Sequence, residues 1–349
     1  MVAPTRPERL VDHSLRVLGR SQTLGGGYVA CASYPTYRYV WVRDGSFIAE
    51  AMRRAGQVES AAAFHAFVAR AVLSLVGADG ATPALLPARF ELDGGLDASD
   101  WPNFQTDGYG LWLWSLRRQA AEAPVDAVVM RACAVAATYL SEHWREPCHD
   151  PWEEGGERLP VATLAASVAG LRAAQALLGP GPWWSAAADA WQLLRSEGVG
   201  GGRLLKDVGV QGGVDAATLW TLGPLALVAP DDPVFAATLT AVERRLMAPN
   251  VHRHPDDEYY GGGAWPILAA FWGLARLAGG DRGAARSALA WIESTADALG
   301  DLPEQVPEPM LHPEGLGRWT AERGPVARPL AWSHAMYLLL AAELAADGG

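Results

Sequence analysis

Six clusters in this 349-residue chain hold the residue types from which chemistry could be built. They are Tyr39-Val40-Trp41-Val42-Arg43-Asp44, Trp101-Pro102-Asn103-Phe104-Gln105-Thr106-Asp107 and Asp150-Pro151-Trp152-Glu153-Glu154, then Gly213-Val214-Asp215, Arg253 to Tyr260, and Leu302-Pro303-Glu304-Gln305. Together they mix carboxylates, aromatic rings and hydrogen-bonding groups. Sugars need this mixture, because carboxylates and arginine bind hydroxyls in fixed directions while tryptophan and tyrosine cover the apolar faces of a pyranose. Cleaving a glycoside needs in addition two carboxyl groups, one protonated to serve the leaving oxygen and one ionised to activate water. Glu153 and Glu304, from distant parts of the chain, are the pair that could supply them.

Plainer readings stand beside these. Asp44, Asp107 and Asp215 each precede an expected helix, where an aspartate commonly caps free amides. Glu153, Glu154 and Glu304 could be solvated loop charges. Trp112, Trp114, Trp220, Trp272 and Trp291 fall at helical spacing and read as core, whereas Trp101, Trp152 and Trp265 are better placed for a pocket. The histidines, His252 and His254 included, form no helical i, i+4 pair within a metal triad, so no zinc site is expected.

The elements that must position these residues are helical. Apolar residues recur at i, i+3, i+4 and i+7, and strict two-residue alternation is hard to find. Helices are expected at 7–20, 44–55, 59–77, 107–121, 124–145 and 161–178, then at 182–196, 214–227, 233–247, 264–278, 282–298 and 331–346. The odd-numbered ones are amphipathic and the even-numbered ones apolar on most sides, the signature of helices surrounded by protein. Six outer and six inner helices in alternation predict an all-α (α/α)6 toroid, one domain over 1–349. Connections before the inner helices are long: 21–43, 78–106, 146–160, 197–213, 248–263 and 299–330. All six are expected at one end of the ring, where function resides. The loops before the third and sixth inner helices then face each other, so Glu153 and Glu304 could stand about 6.5–9.5 Å apart, the inverting separation.

Composition excludes other classes. Half the residues are apolar and 19% charged, as in a compact globular protein. A net charge of −11 gives no basic patch for nucleic acid or an anionic membrane. Cys31, Cys133 and Cys148 are too few and scattered for a disulfide framework. The opening Met-Val-Ala-Pro-Thr-Arg-Pro-Glu-Arg lacks an apolar leader, and no later stretch holds about 18 consecutive apolar residues. A cytoplasmic protein is expected.

The motifs Trp41-x-Arg43-Asp44, Trp152-Glu153-Glu154, Tyr259-Tyr260-x-Gly262 ahead of Trp265, and Pro303-Glu304-Gln305 followed by Trp332-Ser333-His334-Ala335 stand in one order. In this the chain resembles glycoside hydrolase family 15, the family of glucoamylases, glucodextranases and isomaltose glucohydrolase, over about 30–345. The resemblance implies that Glu153 is the general acid and Glu304 the general base. It implies that Arg43 and Asp44 hold the non-reducing glucose, that Trp101 and Gln105 line the pocket with Trp41, Trp152, Tyr259 and Trp265, and that Glu154 and Arg253 bind the next sugar. It implies inversion, release of β-glucose from a short oligosaccharide, and no cofactor. Trp41 comes too early for the β-sandwich many bacterial members carry, and no starch-binding module follows, which points toward isomaltose-type α-1,6 linkages. Pro151 departs from the apolar non-proline residue expected there, a change that could shift the acid loop. Trehalose or maltodextrin hydrolysis would use the same pair. A non-catalytic sugar-binding ring would not need both glutamates, and an isoprenoid cyclase would want more acidic clusters than Asp256-Asp257.

Overall fold

The computed structural model describes residues 6–307 and 309–346. The stretch read above for a leader therefore begins outside the described residues, as do the outermost residues of the 1–349 domain. Six helices form an inner ring: α2 (Val42–Arg54), α4 (Asp107–Ala120), α6 (Val161–Leu178), α8 (Leu219–Leu222), α10 (Pro266–Ala278) and α13 (Ala331–Ala346). Each packs on the next, and α13 returns to α2, closing the circle. Around them lie α1 (Arg6–Ser21), α3 (Val58–Ser74), α5 (Ala127–His143), α7 (Trp183–Ser196), α9 (Pro233–Leu246) and α11 (Arg282–Thr295). This is the (α/α)6 toroid, because an apolar helix must be enclosed and an amphipathic one can face water.

The chemistry of each ring shows why. Val161–Leu171 of α6 is buried throughout, and α6 has the length and apolarity of a membrane span while being packed among α4, α5, α7 and α8. Among the outer helices, α5, α9 and α11 begin with Asp126, Asp232 and Asp281, whose side chains accept from backbone amides of the first turn. Where α4 and α6 cross, Gly110 and Gly170 bring the backbones together. A Cβ on Gly110 would lie 2.3 Å from the Ala166 carbonyl oxygen.

Rings from five inner helices plug the middle of the toroid. Phe47 stacks on Trp332 at 5.7 Å and meets Phe271 at 5.4 Å, with Trp114 and Trp220 beside it. The plug turns a ring into a bowl.

Eleven of the twelve expected helices end within three residues of the expected bounds. The eighth, expected over 214–227, is a 3₁₀ turn at Ala216–Thr218 and a single α turn at Leu219–Leu222. Pro224 stops it, having no amide to donate and a ring that clashes with the carbonyl four residues back. Inside the last long connection lies a helix that periodicity did not signal, α12 (Glu314–Arg323), with only Gly315 buried. Two short antiparallel pairs complete the chain: β1 (Val40–Trp41) with β2 (Arg89–Phe90), and β3 (Val199–Gly200) with β4 (Arg203–Leu204).

Candidate active site

The loop between α5 and α6 presents Glu153 through a tight turn. The Glu153 amide donates to the Asp150 carbonyl at 2.8 Å, and Asp150 Oδ1 accepts from the amides of Trp152 and Glu154, both at 2.9 Å. Pro151 occupies the second position of this turn, where its fixed φ suits the geometry. Glu153 closes it at φ 68°, a left-handed backbone that a side chain other than glycine adopts only under constraint. Its Oε1 accepts from Trp41 Nε1 at 2.6 Å and Gln105 Nε2 at 3.2 Å, with Arg43 Nη2 3.6 Å away.

Glu304 is held by the start of α13. His334 Nε2 accepts the Leu302 amide at 3.0 Å, Ser333 Oγ donates to the Pro303 carbonyl at 2.7 Å, and the Glu304 amide reaches the Ala327 carbonyl at 2.9 Å. Tyr37 donates to Glu304 Oε1 at 2.7 Å, while Oε2 is buried without a partner. Burial pushes the Glu304 carboxyl up to about 7, although the Tyr37 bond and the Arg253 charge pull the other way.

Both glutamates face one cavity of about 330 Å³ above the aromatic plug. Trp41, Arg43, Asp44, Trp101, Trp152, Glu154, Arg253, Tyr259 and Trp265 line it with them. Gln105 does not. It lies behind the wall, 1% exposed, accepting from Arg43 Nη1 at 2.8 Å and donating to Glu153, so its amide serves a buried guanidinium and a cavity-lining carboxylate from behind. Burial likewise pushes Asp44 up to about 7, with Arg43 opposing and Glu153 and Asp107 reinforcing the shift. Arg43 Nε and Asp44 Oδ1 make no hydrogen bond and stand 3.5 Å apart as a buried ion pair at the cavity wall.

On the opposite wall, Arg253 lies among three rings, 5.2–5.4 Å from those of Trp152, Tyr259 and Trp265. It is bonded to Asp257 and, at 3.0 Å, to Glu154 Oε1, whose Oε2 meets His254 Nε2 at 3.0 Å. Against the cost of burial, His254 and Arg253 hold Glu154 down to about 2. Glu154, His254 and Asp257 come close enough together to suggest a cation site, but the guanidinium already occupies the carboxylates. In a second such group, His334 spends both ring nitrogens on Ser14 and the Leu302 amide.

Five of the six long connections reach the cavity, and the fourth does not. Its Lys206 instead sits below, 3.7 Å from Asp150 and 3.6 Å from Asp215, while Trp152 Nε1 donates to Asp215. Asp215 also caps the Ala217 amide, so it combines capping with support of the loop that carries Glu153. Tyr37, Trp319, Arg323 and Trp332 line the cavity without having been singled out for it. Tyr37 could have been found from the tyrosine-rich run 34–39. Trp319 and Arg323 ride on α12, whose short polar sequence gives no periodic signal.

The model of the family described as glycosyl hydrolases family 15 matches residues 90–322. The isomaltose glucohydrolase of Kribbella flavida is 43% identical, over 97% of this chain and 93% of its own. A wild-type glycosidase structure is 42% identical with a TM-score of 0.90, and a variant glycosidase in complex with glucose is 41% identical with a TM-score of 0.91. Each covers 97% of both chains. A bacterial glucoamylase complexed with acarbose, 23% identical over 95% of this chain and 55% of its own with a TM-score of 0.77, shares the fold. Two carboxyls at one sugar-sized cavity, in an (α/α)6 bowl with relatives this near, make the protein a glycoside hydrolase, and the chain belongs to glycosyl hydrolase family 15.

Proposed function

We propose that this chain is an exo-acting, inverting hydrolase that releases β-glucose from the non-reducing end of short α-glucosides, with isomaltose-type α-1,6 linkages favoured. The observation that carries the reading is that Glu153 and Glu304 line one cavity, each held by its own donor and neither spent on the other. Glu153 gives its proton to the glycosidic oxygen. Glu304 Oε2, the oxygen without a partner, takes the proton of the water that attacks C1 from the far face. Arg43 and Asp44 fix the hydroxyls of the glucose lost, and Glu154 and Arg253 address the next ring. Trp332, stacked on Phe47 in the aromatic plug, lines the cavity with Leu330, which suits a chain end rather than a chain middle. The cavity is at the small end of the range for ligand sites, about 300–1,000 Å³, which suits a disaccharide. The name of the Kribbella flavida relative supports the linkage.

Initial rates on isomaltose, maltose, trehalose, panose and soluble starch test the specificity, with isomaltose expected to give the highest kcat/KM. Proton NMR of the first product tests the stereochemistry. Release of α-glucose first would rule out inversion, and a higher kcat/KM on starch or trehalose would rule out the substrate assignment.

A further inference from the structure

Behind the wall that carries the acid lies a buried cation that the cavity never touches. Arg89, on β2, is 2% exposed and does not line the cavity. Its guanidinium is sandwiched between two rings, 3.6 Å from the centroid of Trp101 and 3.9 Å from that of Tyr39, and stands 4.9 Å from the ring of Trp41. Trp41 and Arg89 are directly opposite each other in the β1–β2 pair, so their side chains share a face of the ladder. Edgewise, Asp97 holds the guanidinium at 2.6–2.7 Å, Ser99 accepts from it at 3.1 Å and the Thr36 carbonyl at 3.4 Å. Asp97 is fixed in turn by the amide and hydroxyl of Ser99. Trp41 and Trp101 meet edge to face at 5.7 Å. The indole N–H of Trp41 then makes the 2.6 Å bond to Glu153.

We propose that Arg89, locked by Asp97, is a positioning residue for the general acid: it sets the tilt of Trp41 and so aims the Glu153 carboxyl at the glycosidic oxygen. A cation held flat between two aromatic faces is attracted to both and has no freedom to swing, so the rings cannot slide past it. Glu153 needs such help. It stands on a left-handed backbone in a loop, and a single 2.6 Å bond from Trp41 is the shortest contact orienting its carboxyl. The proposal rests on Glu153 being the acid.

The test separates aiming the acid from merely holding the wall. Arg89→Leu, Arg89→Lys and Asp97→Asn are assayed on isomaltose and on α-glucosyl fluoride, beside Glu153→Gln. Fluoride leaves as the anion and needs no proton, so its hydrolysis depends on Glu304 and sugar binding and not on the acid. A misaimed acid should lower kcat on isomaltose about 100-fold in Arg89→Leu while leaving fluoride hydrolysis within about 3-fold of wild type. The same selectivity, smaller in size, is expected from Arg89→Lys, which keeps charge without the flat fork, and from Asp97→Asn, which keeps the stack. These two also serve if Arg89→Leu does not fold. Equal losses on both substrates, or no loss on either, beside a selective Glu153→Gln overturn the proposal alone. A Glu153→Gln that loses both activities equally overturns the acid assignment and the proposal with it.

Discussion

Replacing Glu304 with glutamine should make the protein more stable while nearly abolishing turnover, and the stabilisation should depend on pH. Glu304 is 3% exposed, and burial is the largest influence raising its carboxyl from 4.5 to about 7. A carboxyl whose folded pKa lies above its unfolded value costs the fold nothing below the unfolded pKa; the cost grows as pH rises from the unfolded pKa to the folded one and is complete above it. At about 1.4 kcal/mol per unit the shift corresponds to about 3 kcal/mol above pH 7, fading to none near pH 4.5. Glutamine stays neutral throughout. Its oxygen keeps the Tyr37 bond, and its nitrogen takes the place of Oε2, which already lacks a partner. For 349 residues the entropy of unfolding, about 0.7 kcal/mol per kelvin, converts this to a Tm about 4 °C above wild type at pH 8 and no gain at pH 4.5. Turnover of isomaltose should fall about 10²–10⁴-fold with the proposed base removed. Thermal unfolding followed by circular dichroism at the two pH values, with initial rates at pH 7, measures both. A variant no more stable than wild type at pH 8 would refute the buried-charge argument, and one hydrolysing isomaltose at near the wild-type rate would refute the role of Glu304 as base.

Two further outcomes can be measured, one at Glu304 and one at the crossing of α4 and α6. As the proposed base, Glu304 must be ionised, so kcat/KM should fall as pH drops through about 7; Tyr37→Phe removes a hydrogen bond that favours the charged form, and should move that acidic limb upward in a pH–rate profile. A limb unmoved or moved downward contradicts the assignment. Gly110→Ala should destabilise the fold by about 3 kcal/mol in urea titration, because its Cβ would stand 2.3 Å from the Ala166 carbonyl and force α4 from α6. Wild-type stability there would mean that the crossing tolerates separation.

The alternation of amphipathic and apolar helices was legible because burial is a property of a helix face that the residue pattern writes directly. The mostly apolar first eleven residues of α6 could not face water, and they are buried throughout. That Glu153 and Glu304 would line one cavity was equally legible, since both lie in long connections expected at one end of the ring. Where local chemistry interrupts a pattern, periodicity fails. Pro224 cut the eighth helix short, and α12 is held by the Tyr259–Gly261 turn rather than by an apolar stripe of its own.

By itself, then, the sequence determined which residue types meet at one end of a helical bowl, because that depends on hydrophobic pattern and chain order. Only the tertiary structure decided what each does to its neighbour. Gln105 and Asp215 went behind the wall to serve Arg43, Glu153 and Trp152, and Arg89 was slotted between Tyr39 and Trp101 from 50 and 12 residues away in the chain. Directions of hydrogen bonds, the burial that raises Glu304, and the tilt of an indole are set by atoms that only folding brings within a few ångströms. Interactions that steep in distance leave no periodic trace along the chain.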